Sequence, residues 1–288
     1  MNDVLIVGQG PAGISAALYT ARAGLKTVIV GGGIGALEKA ERVENFYGSG
    51  AQTGKAIAEA GIKQALNAGA KLRGGEAVGL SLEEFFTVNV IENAAENIYE
   101  AKTIILATGA SRAAPGIRGL KGFEGSGVSY CAVCDAFFYR GKPVAVLGGG
   151  IYALHEANEL LPVAGSVAAL TNGKPPEVEF PEGVMVYTER IAGLTGGQRL
   201  EYVQFENGEE LRISGLFIAI GTAGSTELAK KIGAVTGNGH ITVDGAMRTS
   251  VPGLFAAGDC TGGMKQIAKA VYEGAVAGTE AVKYLRGL

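Results

Sequence analysis

Twice in 288 residues the same order of features recurs: an apolar run, a glycine turn, a stretch of helical composition and a second apolar run. The first copy is Val4–Val7, then Gly8-Gln9-Gly10-Pro11-Ala12-Gly13, then a small-residue helix to about Ala23 that Gly24 ends, then Thr27–Val30. The second is Val144–Leu147, then Gly148-Gly149-Gly150-Ile151-Tyr152-Ala153, then a helix to about Leu161 with Pro162 just past its end, then Val167–Leu170. A strand before, a helix after and a strand beyond form the context that a dinucleotide-binding reading of such a turn requires. The first glycine permits the tight turn, and the second lets backbone amides approach a pyrophosphate. The third, or Ala153 in the second copy, lets helix and strand pack closely. The helix start offers free N–H groups and a positive dipole end to phosphates, and Pro11 fits the first helical turn, where no N–H is needed.

Chain length suggests two domains, and high apolar content with little charge argues for an ordered globular protein. The net charge of −3 speaks against nucleic acid as a partner. The 47 glycines show no three-residue period, so a collagen-like chain is excluded. No apolar run has the length needed to cross a bilayer. Val4–Val7 runs straight into its glycine turn, so it reads as a buried strand and not as a signal peptide. Three cysteines fit a reducing compartment better than a disulfide scaffold, and cytoplasm is the expected location.

Between the two copies stands Cys131-Ala132-Val133-Cys134-Asp135. A zinc site needs two more ligands, and only Cys260, His155 and His240 remain, scattered along the chain. Inert burial is a second bland reading. The spacing suits a redox pair, in which one thiolate attacks a substrate disulfide and the other cysteine resolves the mixed disulfide. Asp135 is placed to act as general acid toward a leaving thiolate, or else it is a helix-capping or solvated carboxylate.

These features together resemble the low-molecular-weight thioredoxin reductase family. Glu44-Asn45 before Phe46-Tyr47-Gly48 is similar to that family's flavin-side segment. Thr103–Ala110 resembles its strand and turn before the domain crossover, and Gly215–Gly221 the return segment. Val251–Asp259 resembles its second FAD motif, with Lys265-Gln266 and Glu273-Gly274 continuing it. The resemblance implies an α/β chain of two Rossmann-like nucleotide-binding domains (the three-layer FAD/NAD(P)-binding fold), the second inserted in the first. Residues 1–112 and 244–288 would bind FAD, through Gly8, Gly10, Pro11, Ala12, Gly13, Asn45, Thr108, Gly109, Gly258, Asp259, Lys265, Gln266 and Ile267. Residues 113–243 would carry the catalytic Cys131, Cys134 and Asp135. Cys134 would meet the flavin, and Cys131 would attack thioredoxin or a thioredoxin-like protein. The family is homodimeric and rotates its inserted domain, which implies hinges near Ala114-Pro115-Gly116 and Asp244-Gly245.

One departure is informative. NADPH-using members carry an arginine-rich segment after the strand equivalent to Val167–Leu170, because a 2′-phosphate favours guanidinium contacts. Here Thr171-Asn172-Gly173-Lys174-Pro175-Pro176 offers neither arginine nor an acid for an NADH ribose. Tyr152 is bulky enough to lie over the turn and occlude a pyrophosphate. The Tyr152–Ala157 run resembles the ferredoxin-dependent flavin thioredoxin reductases, which lack NADPH motifs. The reading is therefore a flavoprotein disulfide reductase with ferredoxin as donor. The alternatives are an NADPH-dependent reductase, a flavin-dependent dithiol oxidase using oxygen (which Asp135 disfavours, since such relatives tend to carry histidine there), and a flavin-bound redox sensor. Cys260 reads as a packed thiol, and His240 as sitting at a turn start, Asn238-Gly239 being a turn signal. His155 reads as holding local hydrogen bonds in place of a lost cofactor.

Overall fold

The computed structural model describes residues 1–288 apart from 94, 111–115 and 222–223, together with the side chains of Val133 and Cys134. The expected hinge at Ala114-Pro115 therefore lies outside the described residues. The chain divides into two compact units, Met1–Arg112 with Gly224–Leu288, and Ala113–Ala223.

The first unit opens with β1 (Asn2–Val7), α1 (Pro11–Arg22) and β2 (Thr27–Gly31). It continues through α2 (Gly54–Asn67), β3 (Lys71–Gly74), β4 (Glu76–Leu82), β5 (Phe86–Glu92) and β6 (Ala95–Leu106). Val4–Val7 and Thr27–Val30 are buried throughout, as continuous apolar runs in a parallel sheet covered on both faces must be. The sheet order is β3-β2-β1-β6-β5-β4. Strand β6 pairs in both senses: Ala95–Ala101 antiparallel with β5, and Ala101–Leu106 parallel with β1. The order reverses at β1, and the turn after β1 lies at this switch point, where open α/β sheets bind ligands.

The second unit contains β7 (Val128–Ser129), the short helix α3 (Ala132–Asp135), β8 (Pro143–Leu147), α4 (Ile151–Leu160), β9 (Ser166–Leu170) and β10 (Val184–Tyr187). An antiparallel sheet of β11 (Ile191–Gly196), β12 (Leu200–Phe205) and β13 (Glu210–Arg212) follows, then β14 (Gly215–Ile218). The parallel sheet runs β10-β9-β8-β14-β7, so its glycine turn again sits where the order reverses. One core of Leu147, Leu170, Leu194, Val203, Phe205 and Leu216 joins the two sheets.

The chain re-enters the first unit at Gly224, ahead of the boundary expected at 243/244. The reason is hydrogen bonding at α5 (Ser225–Lys231). Ser225 N–H donates to Thr108 Oγ1 at 2.7 Å, and the Thr108 N–H donates to Ser225 Oγ at 3.0 Å. Lys231 Nζ reaches the Val78 carbonyl at 3.3 Å. Asp244, expected at a hinge, closes a tight turn inside this unit by accepting N–H bonds from Ala246 and Arg248, both at 2.9 Å. A hairpin of β15 (Thr236–Gly237) and β16 (His240–Ile241) turns at Asn238-Gly239. Strand β17 (Leu254–Ala256) adds to β6, and α6 (Ile267–Arg286) ends the chain.

Helix α6 lies on α1 at very close range. A Cβ on Gly274 would stand 2.1 Å from the Ala12 carbonyl oxygen, and one on Gly278 2.6 Å from that of Ala16. Ser15 Oγ donates across the same seam to the Val271 carbonyl at 2.7 Å. The alanines and glycines of both helices thus bring two backbones together, and with them the start of α1 against the β17–α6 segment.

Candidate functional site

The first glycine turn is crowded where the backbone folds back on itself and open where a ligand would approach. Gly8 has a φ of +115°, and its Cβ would meet the Ala107 carbonyl oxygen at 2.2 Å. A Cβ on Gly13 would stand 1.9 Å from the Gly8 carbonyl oxygen. Gly10 is different: around its Cβ position the nearest atom is the Ile34 carbonyl oxygen at 3.9 Å. Gly10 is the N-cap of α1, with Pro11 first in the helix and no capping side chain. Free N–H groups at a helix start with open space in front fit a pyrophosphate.

The β17–α6 segment is braced from within. Glu273, largely buried, accepts the Gly258 N–H at 2.8 Å and the Thr261 hydroxyl at 2.9 Å. Lys269 pairs with Glu273 at 3.0 Å and donates to the Gly258 carbonyl at 2.8 Å and to the Gly262 carbonyl. This fixes Gly258, whose φ is +87°, and sets the backbone at Asp259. Asn45 Nδ2 donates to Gln266 Oε1 at 3.0 Å, joining two segments that the sequence reading assigned to one site. Gln266 precedes Ile267 as the N-cap of α6 and makes no side-chain cap bond. Gly109 has a φ of +83° beside the Thr108–Ser225 pair. Lys265 is exposed. The lysine that organises this segment is Lys269, which sequence spacing passed over, although its i,i+4 relation to Glu273 on one helix was a readable signal.

Cys260 sits in the same segment and is completely buried. Burial pushes its thiol from 9.0 up to about 12, so it is an inert packed thiol. Because the folded-state value is raised, its contribution to stability is complete at neutral pH and is lost as pH climbs from about 9 toward 12. Urea melts at increasing alkaline pH should therefore lose up to about 1.4 kcal/mol per pH unit from this group. Cys260→Ala should remove that part of the slope, and an unchanged slope would contradict the assignment.

In the second unit the cysteine segment is tied down at both ends. Cys131 is disulfide-bonded and 4% exposed. Its N–H donates to Ser129 Oγ at 3.1 Å, and Ser129 Oγ–H donates to Asp135 Oδ2 at 2.6 Å. Asp135 is thus half-buried and held by Ser129, which sequence reasoning did not select. The Ala132 N–H donates to Glu156 Oε2 at 2.6 Å, and Glu156 is buried on α4. The backbone of Cys134 lies in α3, and its side chain is outside the described residues. Phe137 and Phe138, immediately beyond, are 72% and 68% exposed, an apolar surface beside the cysteine segment suited to a protein partner.

The second glycine turn repeats the first with its ligand space filled. Gly148 crowds the Ala219 carbonyl oxygen at 2.2 Å, as Gly8 crowds Ala107. At Gly149 a Cβ would meet Thr171 Cγ2 at 3.2 Å and Pro176 Cα at 3.5 Å. At Gly150, the counterpart of Gly10, the Glu177 carboxylate lies 3.0 Å from the Cβ position. The Glu177 N–H donates to the Gly149 carbonyl at 2.7 Å, which pins this segment to the turn by its backbone. Tyr152, expected over the turn, is buried instead. It shares the inward face of α4 with Ala153, Glu156, Ala157 and Leu160, and helical spacing sends it to the core. After β9 the arginine absent from the local sequence arrives from elsewhere: Arg190 lies against Gly173, its Nε 2.9 Å from the Cβ position. Among the described residues no cluster of three His, Cys, Asp or Glu side chains suits a metal, and no helix is long and apolar enough to cross a membrane.

Two sheets whose parallel strands carry glycine turns at their switch points, one unit inserted in the other, define a two-domain FAD/NAD(P)-type oxidoreductase fold. The model of the pyridine nucleotide-disulphide oxidoreductase family matches residues 2–274, and the chain belongs to that family. A thioredoxin reductase of Listeria monocytogenes is 34% identical, over 99% of this chain and 94% of that protein. Among solved structures, an atypical thioredoxin reductase from Desulfovibrio vulgaris Hildenborough superposes with a TM-score of 0.93 at 40% identity, covering 100% of this chain and 99% of that one. A ferredoxin-flavin thioredoxin reductase from Clostridium acetobutylicum gives 0.75 at 30% identity, with the same coverage. The chain is an oxidoreductase of this flavin-dependent type.

Proposed function

We propose that this protein reduces the disulfide of thioredoxin or a thioredoxin-like protein through Cys131 and Cys134, with electrons from ferredoxin and not from a pyridine nucleotide. The observation that carries the donor reading is the contrast between Gly10 and Gly150. The equivalent position is open in the first copy and occupied by the Glu177 carboxylate in the second, where Pro176 packs on the adjacent Gly149. Glu177 is exposed, and the backbone bond from Glu177 to Gly149 keeps the segment on the turn. A carboxylate in front of a helix start also repels phosphate by charge. The likeness to a ferredoxin-flavin thioredoxin reductase supports the same reading.

The first turn, Asn45, the Gly258–Asp259 segment and the α6 start are the residues that would hold FAD. When bound, FAD supplies the electron pair that opens the cysteine disulfide. The chain's own part is thiol chemistry. The Cys131 thiolate attacks one sulfur of the partner disulfide, a new S–S bond forms, and the other partner sulfur leaves as thiolate. Asp135, held by Ser129, would deliver a proton to that leaving sulfur. The second cysteine then attacks Cys131, restoring the internal disulfide and releasing the reduced partner. Phe137 and Phe138 give the partner an apolar seat. A homodimer follows from the family resemblance.

Arg190 against Gly173 favours a second reading, NADPH dependence, since a guanidinium after β9 could meet a 2′-phosphate. One experiment separates the two. In anaerobic mixing, the flavin absorption band should persist with excess NADPH and bleach with reduced ferredoxin. Rapid bleaching by NADPH would sink the ferredoxin reading and make the protein an NADPH-dependent reductase.

A further inference from the structure

Glu156 is a buried carboxylate, 1% exposed, on the helix that follows the filled glycine turn. Its Oε2 takes the Ala132 N–H at 2.6 Å, one residue beyond Cys131. Elsewhere, free N–H groups at the start of a redox helix stabilise a thiolate and make it acidic. Here that first N–H is turned to a carboxylate. We propose that Glu156 is a positioning residue for the redox pair, holding the start of α3 and keeping the reduced Cys131 thiol less acidic than a free helix start would make it.

The physical reasoning has two steps. A carboxylate that occupies the Ala132 N–H denies that donor to a Cys131 thiolate, and its negative charge in a water-poor site opposes a second one beside it. A thiol held basic in this way forms less thiolate, but each thiolate is more nucleophilic, and the most effective attacking thiol has a pKa near ambient pH. Other titratable groups stand near this segment. Asp135, on the same helix, is linked to the Cys131 N–H through Ser129. Tyr130 donates its hydroxyl to Glu124 at 2.7 Å. Burial, and then the charge of Asp135, push the Tyr139 hydroxyl up. His155 adjoins Glu156 on α4 and is half-buried. Glu156, Ala132 and Cys131 all belong to the unit Ala113–Ala223, so the contact is internal to that unit. The inference also accounts for a nucleotide-type fold whose nucleotide turn is filled: its helix still serves the cysteines.

The proposal rests on Cys131 being a redox cysteine, and its test does not depend on turnover. Alkylation of the reduced holoenzyme by iodoacetamide is followed against pH in Cys134→Ser, where Cys131 is the only cysteine of the pair, with mass spectrometry reporting the Cys131 adduct. Adding Glu156→Gln keeps an acceptor for the Ala132 N–H and removes the charge. The expected result is a midpoint lower by roughly one pH unit, with alkylation at pH 6.5 faster by about threefold, because the gain in thiolate outweighs the loss of nucleophilicity per thiolate. An unshifted or raised midpoint in the folded double variant overturns the proposal. Should that variant fail to fold, Cys134→Ser alone decides. Its midpoint is expected at or above the ordinary thiol value of about 8.5, and a clearly acidic thiol overturns the proposal. Failure of the underlying reading would register elsewhere, as full thioredoxin turnover by Cys131→Ser.

Discussion

With Cys131 replaced by serine, turnover with thioredoxin is expected to fall on the order of a thousandfold or more, while the protein stays yellow and folded. A serine hydroxyl is scarcely ionised near neutral pH and cannot form a disulfide, so neither attack nor resolution has a substitute. The fold should tolerate the change, because the hydrogen bonds that position residue 131 use its backbone and survive loss of the disulfide. Its N–H is held by Ser129, and its carbonyl accepts the Asp135 N–H at 3.2 Å. The residues proposed to hold the flavin lie in the other unit. Cys134→Ser should also abolish steady-state turnover, but with a different signature. It leaves Cys131 able to form a mixed disulfide with a target cysteine that nothing resolves, so a covalent complex should accumulate on non-reducing gels. Cys131→Ser should form that complex poorly or not at all. Retained activity in Cys131→Ser, or the complex appearing in the opposite variant, would reverse the roles assigned to the two cysteines.

The fold was readable because its signals are local. Val4–Val7 and Val144–Leu147 are unbroken apolar runs that end in glycines, and buried parallel strands require that composition. The glycine turns, the small-residue helix and the Cys131–Cys134 spacing each lie within a few residues, so sequence alone placed them. What sequence did not reach are contacts between residues far apart in the chain. Glu156 meets Ala132 across a separation of 24 residues. Arg190 meets Gly173, and Glu177 meets Gly150, because strands and loops return there in space. Tyr152 was misplaced for a related reason: its bulk was legible, but its direction depends on which face of α4 meets the core. The boundary at Gly224 depends on the bonds between Ser225 and Thr108, 117 residues apart. Residue type announced the shape of both turns but not that the space before the second is occupied. What fills a space is decided by the segment that folds over it.

Gly274→Val is expected to destabilise the first unit by about 3 kcal/mol or more and to release flavin during purification. Helix propensity alone predicts the opposite, since replacing glycine inside a helix usually stabilises it. Packing outweighs propensity here because the obstacle is backbone. A Cβ at 274 would stand 2.1 Å from the Ala12 carbonyl oxygen and 2.9 Å from its carbonyl carbon. No rotamer change relieves such a clash, so α6 and α1 must move apart. Ala12 belongs to the turn proposed to meet the pyrophosphate, and a Cβ on neighbouring Gly258 would meet the Ala12 Cβ at 2.9 Å, so separation at this seam spreads to both halves of the proposed flavin site. Thermal unfolding should drop by roughly 10 °C on the scale for units of this size, and the ratio of visible to ultraviolet absorbance should fall with it. Gly74→Ala is the matched control, since nothing lies within 4 Å of its Cβ position; it should stay within about 0.5 kcal/mol of the parent. A Gly274→Val variant that keeps both its melting temperature and its colour would mean that α1 and α6 can separate without disturbing the turn, and that the turn is held by β1 and Ala107 alone.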